Sequence, residues 1–455
     1  MIEPMAGIAA AAVTLLALCG LGRSARWRAG LMALAVLPTV AAVLVEGLRV
    51  PAVGVYLAAV VAAVLAGTVR RRHVVVGPVA AVLALVVAVP SVLLPPLTVP
   101  STAESVPVGS RSYEWTDADR IDPYTGSSRR VQVEVWYPAD PDSAASILTA
   151  DYPEQVPVAL GTVLGTGSWP FAYLTRADTA VHPDAAPADG DFPVVLYSPG
   201  NGSTRFQNLD LVQRMVSAGY VVVGVDHPST AASLTFADGS TTVATAEPPT
   251  AGGTEDDIID IRAEDLSFVL DQLSDLDHLD LSRVAAVGHS YGGATAGEAA
   301  ARDDRIDAVV AMDGTMWGST IFDTGLHVPL LYVQATGTVD AFSGPDVSPE
   351  DAAYAEQAKR GLNQIVATTD AHVEYALVER ANHYTFTDLA LLGPVFSAGR
   401  SGEDAAGLTG DLVIGFLDER LRDTGEGTAP AVENHTGIDL LSDPDTIFPD
   451  LGSTR

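Results

Sequence analysis

The hydrophobic pattern changes sharply near residue 100. Before that point the chain carries four long apolar stretches, at residues 5–22, 30–48, 50–69 and 74–95. Each stretch is close to the ~20 apolar residues that a helix needs to cross the hydrocarbon core of a bilayer. Because four such stretches follow one another, a single cleaved signal peptide does not describe them. The pattern therefore predicts a four-span transmembrane module over residues 1–98, followed by a linker over residues 99–110.

The arginines of this first part predict its orientation. Three arginines lie between the first and second apolar stretches, and three more lie between the third and fourth. Positively charged loops are retained in the cytoplasm, so both loops are expected on the inner side. Everything after residue 95 would then lie outside. We expect a multi-pass protein of the cell membrane whose larger domain is extracytoplasmic.

Beyond the linker, strand patterns and helix patterns alternate. Residues 131–140 alternate in polarity as a hairpin strand does, and residues 256–273 have apolar side chains at helical spacing. Short apolar runs typical of buried strands occur at residues 192–202, 221–228, 306–314, 328–337 and 373–380. Strands that alternate with helices indicate a mostly parallel, doubly wound α/β sheet. We assign this domain to residues 111–425 and an acidic tail to residues 426–455.

A nucleophile motif interrupts this alternation. Residues 288–292 read Gly-His-Ser-Tyr-Gly and stand between a strand pattern and a helix pattern rich in small residues. Glycines on both sides of the serine allow the sharp strand-to-helix turn that exposes its hydroxyl. This is the G-x-S-x-G arrangement of α/β hydrolases, with Ser290 as the predicted nucleophile. Such a serine is a weak nucleophile until a base, oriented by an acid, activates it.

His383 is the best placed of the histidines to act as that base. It follows the last predicted strand and comes after Ser290, in the chain order of this fold. Two aspartates, Asp313 and Asp340, follow strands between these two residues, and position alone does not choose between them. We interpret His289 as pointing away from the nucleophile. His227 stands just past a strand, and pocket-lining and structural roles are equally open for it.

Acyl transfer also needs two backbone N–H donors to hold the oxyanion of the tetrahedral intermediate. The N–H of Tyr291, directly after the nucleophile, is one expected donor. The other is expected from the glycine loop at residues 198–202, at Asn201. Glycines in this loop allow the backbone to approach the substrate closely.

Three segments together resemble the platelet-activating-factor acetylhydrolase family of α/β hydrolases and the related polyester-degrading lipases. They are DIRAEDLSFVLDQL at Asp260–Leu273, GHSYGGAT from Gly288, and MDGTMWG at Met312–Gly318. The similarity spans residues 130–420. It implies an ester substrate, two-step acyl transfer without a cofactor or metal, and Asp313 as the triad acid, with Asp340 as the fallback. The chain departs from the animal enzymes at Pro199, where a histidine commonly stands, and in its N-terminal apolar stretches.

The net negative charge limits the partners that this protein is expected to bind. The formal net charge is −32, and residues 101–455 hold 18 basic and 55 acidic residues. Such a domain repels nucleic acid, so nucleic acid is not an expected partner. The single cysteine, Cys19, excludes an intrachain disulfide. We expect a membrane-anchored serine carboxylester hydrolase acting on a small-molecule or lipid ester. The alternatives are a non-catalytic interaction module of the same fold, or a serine peptidase or amidase.

Overall fold

The computed structural model describes residues 33, 37 and 40 and residues 106–441, except 246, 250–252, 344–346 and 426. The four predicted membrane spans therefore lie outside the described residues, apart from three isolated positions. Residues 151–177 belong to one compact unit, and the other described residues from 106 onward belong to a second.

Strands dominate the second unit. Within the described residues, the strands are β1 Val108–Ile121, β2 Ser128–Pro138, β3 Val181–Pro183, β4 Phe192–Ser198, β5 Val221–Asp226, β6 Ser233–Thr235, β7 Thr241–Val243, β8 Leu279–His289, β9 Ala308–Met312, β10 Leu330–Ala335, β11 Val373–Val378 and β12 Ile438–Leu441. Ten of them form one sheet in the order β12-β11-β10-β9-β8-β4-β5-β2-β1-β3, and β6 pairs with β7.

Helices occupy most of the connections between these strands. Among the described residues from 106 onward, the α-helices are α1 Pro141–Ala144, α2 Gln155–Val163, α3 Leu209–Ser217, α4 Glu255–Leu273, α5 Tyr291–Arg302, α6 Ser319–Thr324, α7 Thr336–Ser343, α8 Pro349–Thr368, α9 Gly402–Arg422 and α10 Ala429–Asn434. The 3-10 helices are Trp169–Arg176, Asp388–Leu392 and Pro394–Phe396. Of these, α2 and the first 3-10 helix lie in the smaller unit.

The centre of the large sheet is parallel. β4 pairs parallel with β5 and β8, and the parallel pairing continues through β9 and β10 to β11. The outer strands β1 and β2 form an antiparallel hairpin, and β2 is antiparallel to β5. The prediction of a mostly parallel α/β sheet is confirmed. The carboxyl ends of the parallel strands meet at one edge, where α/β proteins place their ligand sites.

The core lies on both faces of this sheet. Every residue of β5, β9 and β10 is buried, and these strands are rich in valine, alanine and leucine. Strands covered by helices on both faces read as continuous apolar runs in this way. Helix α4 presents buried Leu266, Val269 and Leu270 to the core. Its first turn is closed by a 2.8 Å hydrogen bond from the backbone N–H of Thr254 to Asp257 Oδ2.

The structure corrects the predicted localisation. No helix in the described part of the chain is long and apolar enough to cross a membrane. The longest of them, α4, α8 and α9, carry acidic and basic side chains along their length, and charges within a bilayer are costly. The prediction of a multi-pass membrane protein is therefore contradicted.

The C-terminal segment contributes to the sheet. Residues 429–434 form α10, and β12 pairs antiparallel with β11 along Tyr375–Val378. The first strand begins at Val108, two residues before the end of the predicted linker. The division of the chain into module, linker, domain and tail stays a prediction.

Candidate active site

Ser290 stands at a sharp turn between a strand and a helix. Strand β8 ends at His289, and α5 begins at Tyr291. The backbone of Ser290 has φ 57° and ψ −126°, a region that non-glycine residues rarely occupy and that is typical of strained functional positions. Its N–H donates to the Met312 carbonyl at 2.9 Å, which ties the turn to the end of β9.

Glycines make this turn possible because other backbone atoms lie against it. A Cβ on Gly292 would stand 1.9 Å from the Ser198 carbonyl oxygen, and one on Gly288 would stand 2.1 Å from Gly292. The two motif glycines therefore provide space for close backbone packing. The nucleophile is held by main-chain contacts on several sides.

Asp313 and His383 form a hydrogen-bonded pair. Asp313 follows β9, His383 follows β11, and His383 Nδ1 lies 2.8 Å from Asp313 Oδ2. The Asp313 side chain is fully buried, whereas the imidazole is 38% exposed. A carboxylate only accepts hydrogen bonds, so Nδ1 carries the proton and Nε2 has a free lone pair. This is the tautomer that a general base requires.

Three further donors orient the Asp313 carboxylate. Gln334 Nε2 and the Ala335 backbone N–H donate to Oδ1 at 2.6 and 2.8 Å, and Thr338 Oγ1 donates to Oδ2 at 2.6 Å. Hydrogen bonds to a charged acceptor are stronger than those between neutral groups. These hydrogen bonds thus hold the carboxylate in an orientation that faces His383.

The alternative acid is placed differently. Asp340 lies within α7, the helix after β10, and it is exposed. The pair with His383 is made by Asp313, the acid that the family resemblance implies.

A cavity of about 580 Å³ opens where these loops meet. Its lining residues are Ser290, Tyr291, Asp313, Thr315, Gly337, Thr338, Ala341, Asn382, His383 and Tyr384. The three predicted triad residues therefore border one cavity. Its volume is in the range of small-molecule sites, about 300–1,000 Å³.

The loop after β4 lies against the nucleophile. A Cβ on Gly200 would come within 3.3 Å of Ser290 Cβ, and Asn201 is the next residue. Tyr291 is the first residue of α5, where the helix dipole favours negative charge. Within the described residues, no group hydrogen-bonds the buried Oδ1 of Asn201. The roles of the Asn201 and Tyr291 N–H groups stay predictions.

A second Ser-His-Asp arrangement lies behind this loop and has a different character. His227 Nε2 is 3.0 Å from Ser198 Oγ, and His227 Nδ1 is 2.9 Å from Asp265 Oδ2. All three residues are at most 1% exposed, so substrate has no access to them. Burial, reinforced by the nearby Arg262 charge, lowers the pKa of His227 to about 3. Of the pocket-lining and structural roles that the sequence left open for His227, this burial supports the structural one.

Buried arginines complete that cluster. Arg129 Nη2 donates to Asp265 Oδ2 at 2.7 Å, and Arg262 Nη2 donates to Ser198 Oγ at 3.0 Å and to the Pro199 carbonyl. Burial alone would raise the pKa of Asp265, but the Arg129 charge and the hydrogen bond from His227 hold it well below its usual range. Sequence reasoning missed this cluster. Its one visible signal was Arg262 and Asp265 within an otherwise apolar face of the α4 pattern.

The fold and the geometry of the site together define a class of protein. An α/β sheet with a strained serine after one central strand and an Asp–His pair after two others is the α/β-hydrolase fold. The family model described as alpha/beta hydrolase fold matches residues 193–348, from the start of β4 to the loop before α8. The predicted fold is thereby confirmed, whereas the predicted N-terminal membrane module gains no support.

Relatives narrow the class. The chain is 30% identical over 232 residues to a probable 1-alkyl-2-acetylglycerophosphocholine esterase of Arthroderma benhamiae, covering 47% of this chain and 57% of the relative. It is 23% identical over 270 residues to a platelet-activating factor acetylhydrolase of Gallus gallus, covering 50% of this chain and 64% of that relative. The chain thus spans less than two thirds of either relative.

A solved structure agrees with these relatives. The ferulic acid esterase from Streptomyces cinnamoneus superposes with a TM-score of 0.61 at 27% identity, covering 76% of this chain and 99% of that one. Together the comparisons support an α/β hydrolase of the carboxylester hydrolase class, and they agree with the resemblance drawn from the sequence motifs.

Proposed function

We propose that this protein is a serine carboxylester hydrolase that works by a Ser290–His383–Asp313 triad. The observation that supports this most is the 2.8 Å pair between His383 Nδ1 and Asp313 Oδ2, on a cavity that Ser290 also lines. The names of the relatives support ester substrates. The cavity volume of about 580 Å³ favours a small-molecule or short-acyl lipid ester over a polymer.

The mechanism follows from the direction of the hydrogen bonds. Ser290 Oγ attacks the ester carbonyl carbon while His383 Nε2 takes the hydroxyl proton, and Asp313 stabilises the resulting imidazolium. The Asn201 and Tyr291 N–H groups hold the oxyanion of the tetrahedral intermediate. His383 then protonates the leaving alcohol oxygen, and the acyl group stays on Ser290. Water, deprotonated by His383 Nε2, attacks the acyl carbon. The bond between that carbon and Ser290 Oγ then breaks, His383 returns the proton to Ser290 Oγ, and the carboxylic acid leaves.

The proposal is tested with p-nitrophenyl esters from acetate to palmitate and the purified full-length chain. We expect turnover that is fastest with short acyl chains and lost in Ser290→Ala. Chromogenic peptide amides serve as the comparison substrates. A folded protein that cleaves amides faster than esters would instead be a peptidase or amidase. A folded protein that cleaves neither and does not react with a fluorophosphonate would be a non-catalytic module.

A further inference from the structure

A continuous chain of hydrogen bonds joins the loop of the general base to the loop after β4. His289 Nε2 lies 2.7 Å from the backbone carbonyl of His383, and His289 Nδ1 lies 3.2 Å from Gln207 Nε2. Gln207 Oε1 accepts from the backbone N–H of Gly200 at 2.8 Å and from Tyr197 Oη at 3.3 Å. The chain therefore ends one residue before Asn201, the predicted oxyanion donor.

The direction of every bond in this chain follows from its two ends. The His383 carbonyl can only accept, so His289 Nε2 carries the proton and Nδ1 accepts from the Gln207 amide. The amide oxygen of Gln207 is then left to accept from the Gly200 N–H. No other orientation of either side chain satisfies both ends, which identifies the tautomer of His289 and the amide orientation of Gln207 together.

His289 is suited to a fixed, uncharged role. The residue is 2% exposed, and its ring centre lies 4.5 Å from that of His383. Burial, together with the nearby His383 charge when that residue is protonated, lowers the pKa of His289 to about 3. His289 therefore stays neutral while His383 gains and loses a proton, and it keeps its hydrogen bonds through both states.

The loop after β4, which these hydrogen bonds hold, has little freedom to move toward the nucleophile. A Cβ on Gly200 would meet Ser290 Cβ at 3.3 Å, Gln207 Nε2 at 3.4 Å and His289 Nδ1 at 3.5 Å. Misplacing a catalytic group by about 1 Å can cost about 100-fold in rate. Hydrogen bonds that set the distance between this loop and the loop of His383 would therefore affect the rate of the chemical step.

We propose that His289 and Gln207 are positioning residues. They hold the loop of His383 and the glycine loop at residues 198–202 at a fixed separation on either side of Ser290. The inference rests on the proposed function. It assigns a role to the histidine of the Gly-His-Ser-Tyr-Gly motif, which sequence reasoning took to point away from the site. Neither side chain needs to contact the substrate for this role.

Three substitutions in the full-length chain test the proposal. Gln207→Met keeps the size of the side chain and removes its three hydrogen bonds, to His289, Gly200 and Tyr197. His289→Asn keeps an acceptor close to the Nδ1 position but loses the donor to His383, and His289→Gln keeps a donor close to Nε2 but loses the acceptor for Gln207. We expect each to lower kcat on p-nitrophenyl acetate by about 10- to 100-fold, with KM within about twofold of the unsubstituted protein.

The matched control is Gln213→Met. Gln213 is a buried glutamine on α3, and its Nε2 donates to the Thr179 carbonyl at 2.6 Å. This variant should keep the kcat of the unsubstituted protein, while its melting temperature falls at least as far as that of Gln207→Met. An equal loss of kcat in both glutamine variants would mean that general destabilisation is responsible, and it would overturn the proposal.

The double variant Gln207→Met/His289→Gln shows whether the two residues act through one chain of hydrogen bonds or through two independent contacts. Residues that act through one chain of bonds are not additive, so the double variant should be no slower than the slower single variant. Multiplied losses would overturn the proposal, as would kcat unchanged in both histidine variants. If Gln207→Met does not fold, the two histidine variants carry the test. An inactive unsubstituted protein would instead refute the proposed function.

Discussion

Replacing Asp313 with asparagine tests the triad most specifically, because the substitution keeps the shape of the side chain and reverses one hydrogen bond. Asp313 Oδ2 accepts from both His383 Nδ1 and Thr338 Oγ1, while Oδ1 accepts from Gln334 and Ala335. The amide oxygen of asparagine suits the Oδ1 position. Its amide nitrogen then falls at Oδ2 and faces the imidazole as a donor.

This reversal forces the wrong tautomer on the base. With a donor opposite it, His383 Nδ1 must accept, so its proton moves to Nε2, and that nitrogen can no longer take the proton of Ser290. In the serine-protease triad the same change lowers kcat by about 10⁴, which corresponds to about 5 kcal/mol in the activation free energy. We expect a loss of this size in kcat, with little change in KM, because Asp313 is buried behind the imidazole.

The assay is steady-state hydrolysis of p-nitrophenyl acetate by Asp313→Asn and Asp340→Asn side by side. The exposed Asp340 should tolerate the change with kcat within about twofold of the unsubstituted value. The reasoning is refuted if Asp313→Asn keeps more than a tenth of the activity, or if Asp340→Asn is the variant that loses it.

Three other predictions concern the structure around the site. Gly292→Ala should yield little folded protein in a thermal melt, because its Cβ would lie 1.9 Å from the Ser198 carbonyl oxygen. Arg129→Met should lower the free energy of unfolding in urea by about 3–5 kcal/mol, because it removes the buried arginine that pairs with the buried Asp122 carboxylate and leaves buried Asp265 with Arg120 alone. The free energy of unfolding should also fall between pH 6.5 and pH 4, and less steeply in His289→Gln. The reason is that the pKa of His289 drops from 6.5 to about 3 on folding, so only the unfolded chain gains a proton there, at about 1.4 kcal/mol per pH unit.

Each of these predictions has a matched control. Gly407→Ala on α9 meets only the His435 ring edge at 3.3 Å and should fold normally. Arg305→Met removes the ion pairs of a half-exposed arginine with Asp271 and Asp303 and should cost less than about 1 kcal/mol. His327→Gln changes an exposed histidine and should leave the acid dependence intact. A control that behaves like its partner variant would contradict the corresponding explanation.

The fold was predictable because its strands and helices bury their side chains in regular patterns. The parallel strands are mostly apolar runs, helices of 6 to 20 residues separate them, and both features are visible in the sequence. Strand β12 was not predictable. Its four residues lie in an acidic, glycine-containing segment, and the strand forms only because β11 offers an unpaired edge.

The site was predictable where chemistry depends on local chain geometry. Ser290 is marked by its two flanking glycines, and His383 by its position after the last strand of the apolar pattern. The choice between Asp313 and Asp340 depends on which loop reaches His383, and spacing along the chain does not contain that distance. The roles of Gln207 and His289 depend on three loops meeting, so each residue looked ordinary in the sequence.

If Ser290 is the nucleophile of an acyl-transfer reaction, a fluorophosphonate modifies it covalently, and mass spectrometry locates the adduct. The full-length chain is treated with a fluorophosphonate, and the modified peptide is sequenced in the unsubstituted protein and in Ser290→Ala. We expect one adduct, on Ser290, that is absent from Ser290→Ala and forms far more slowly in Asp313→Asn. An adduct on another serine, or none on a folded protein, would contradict it.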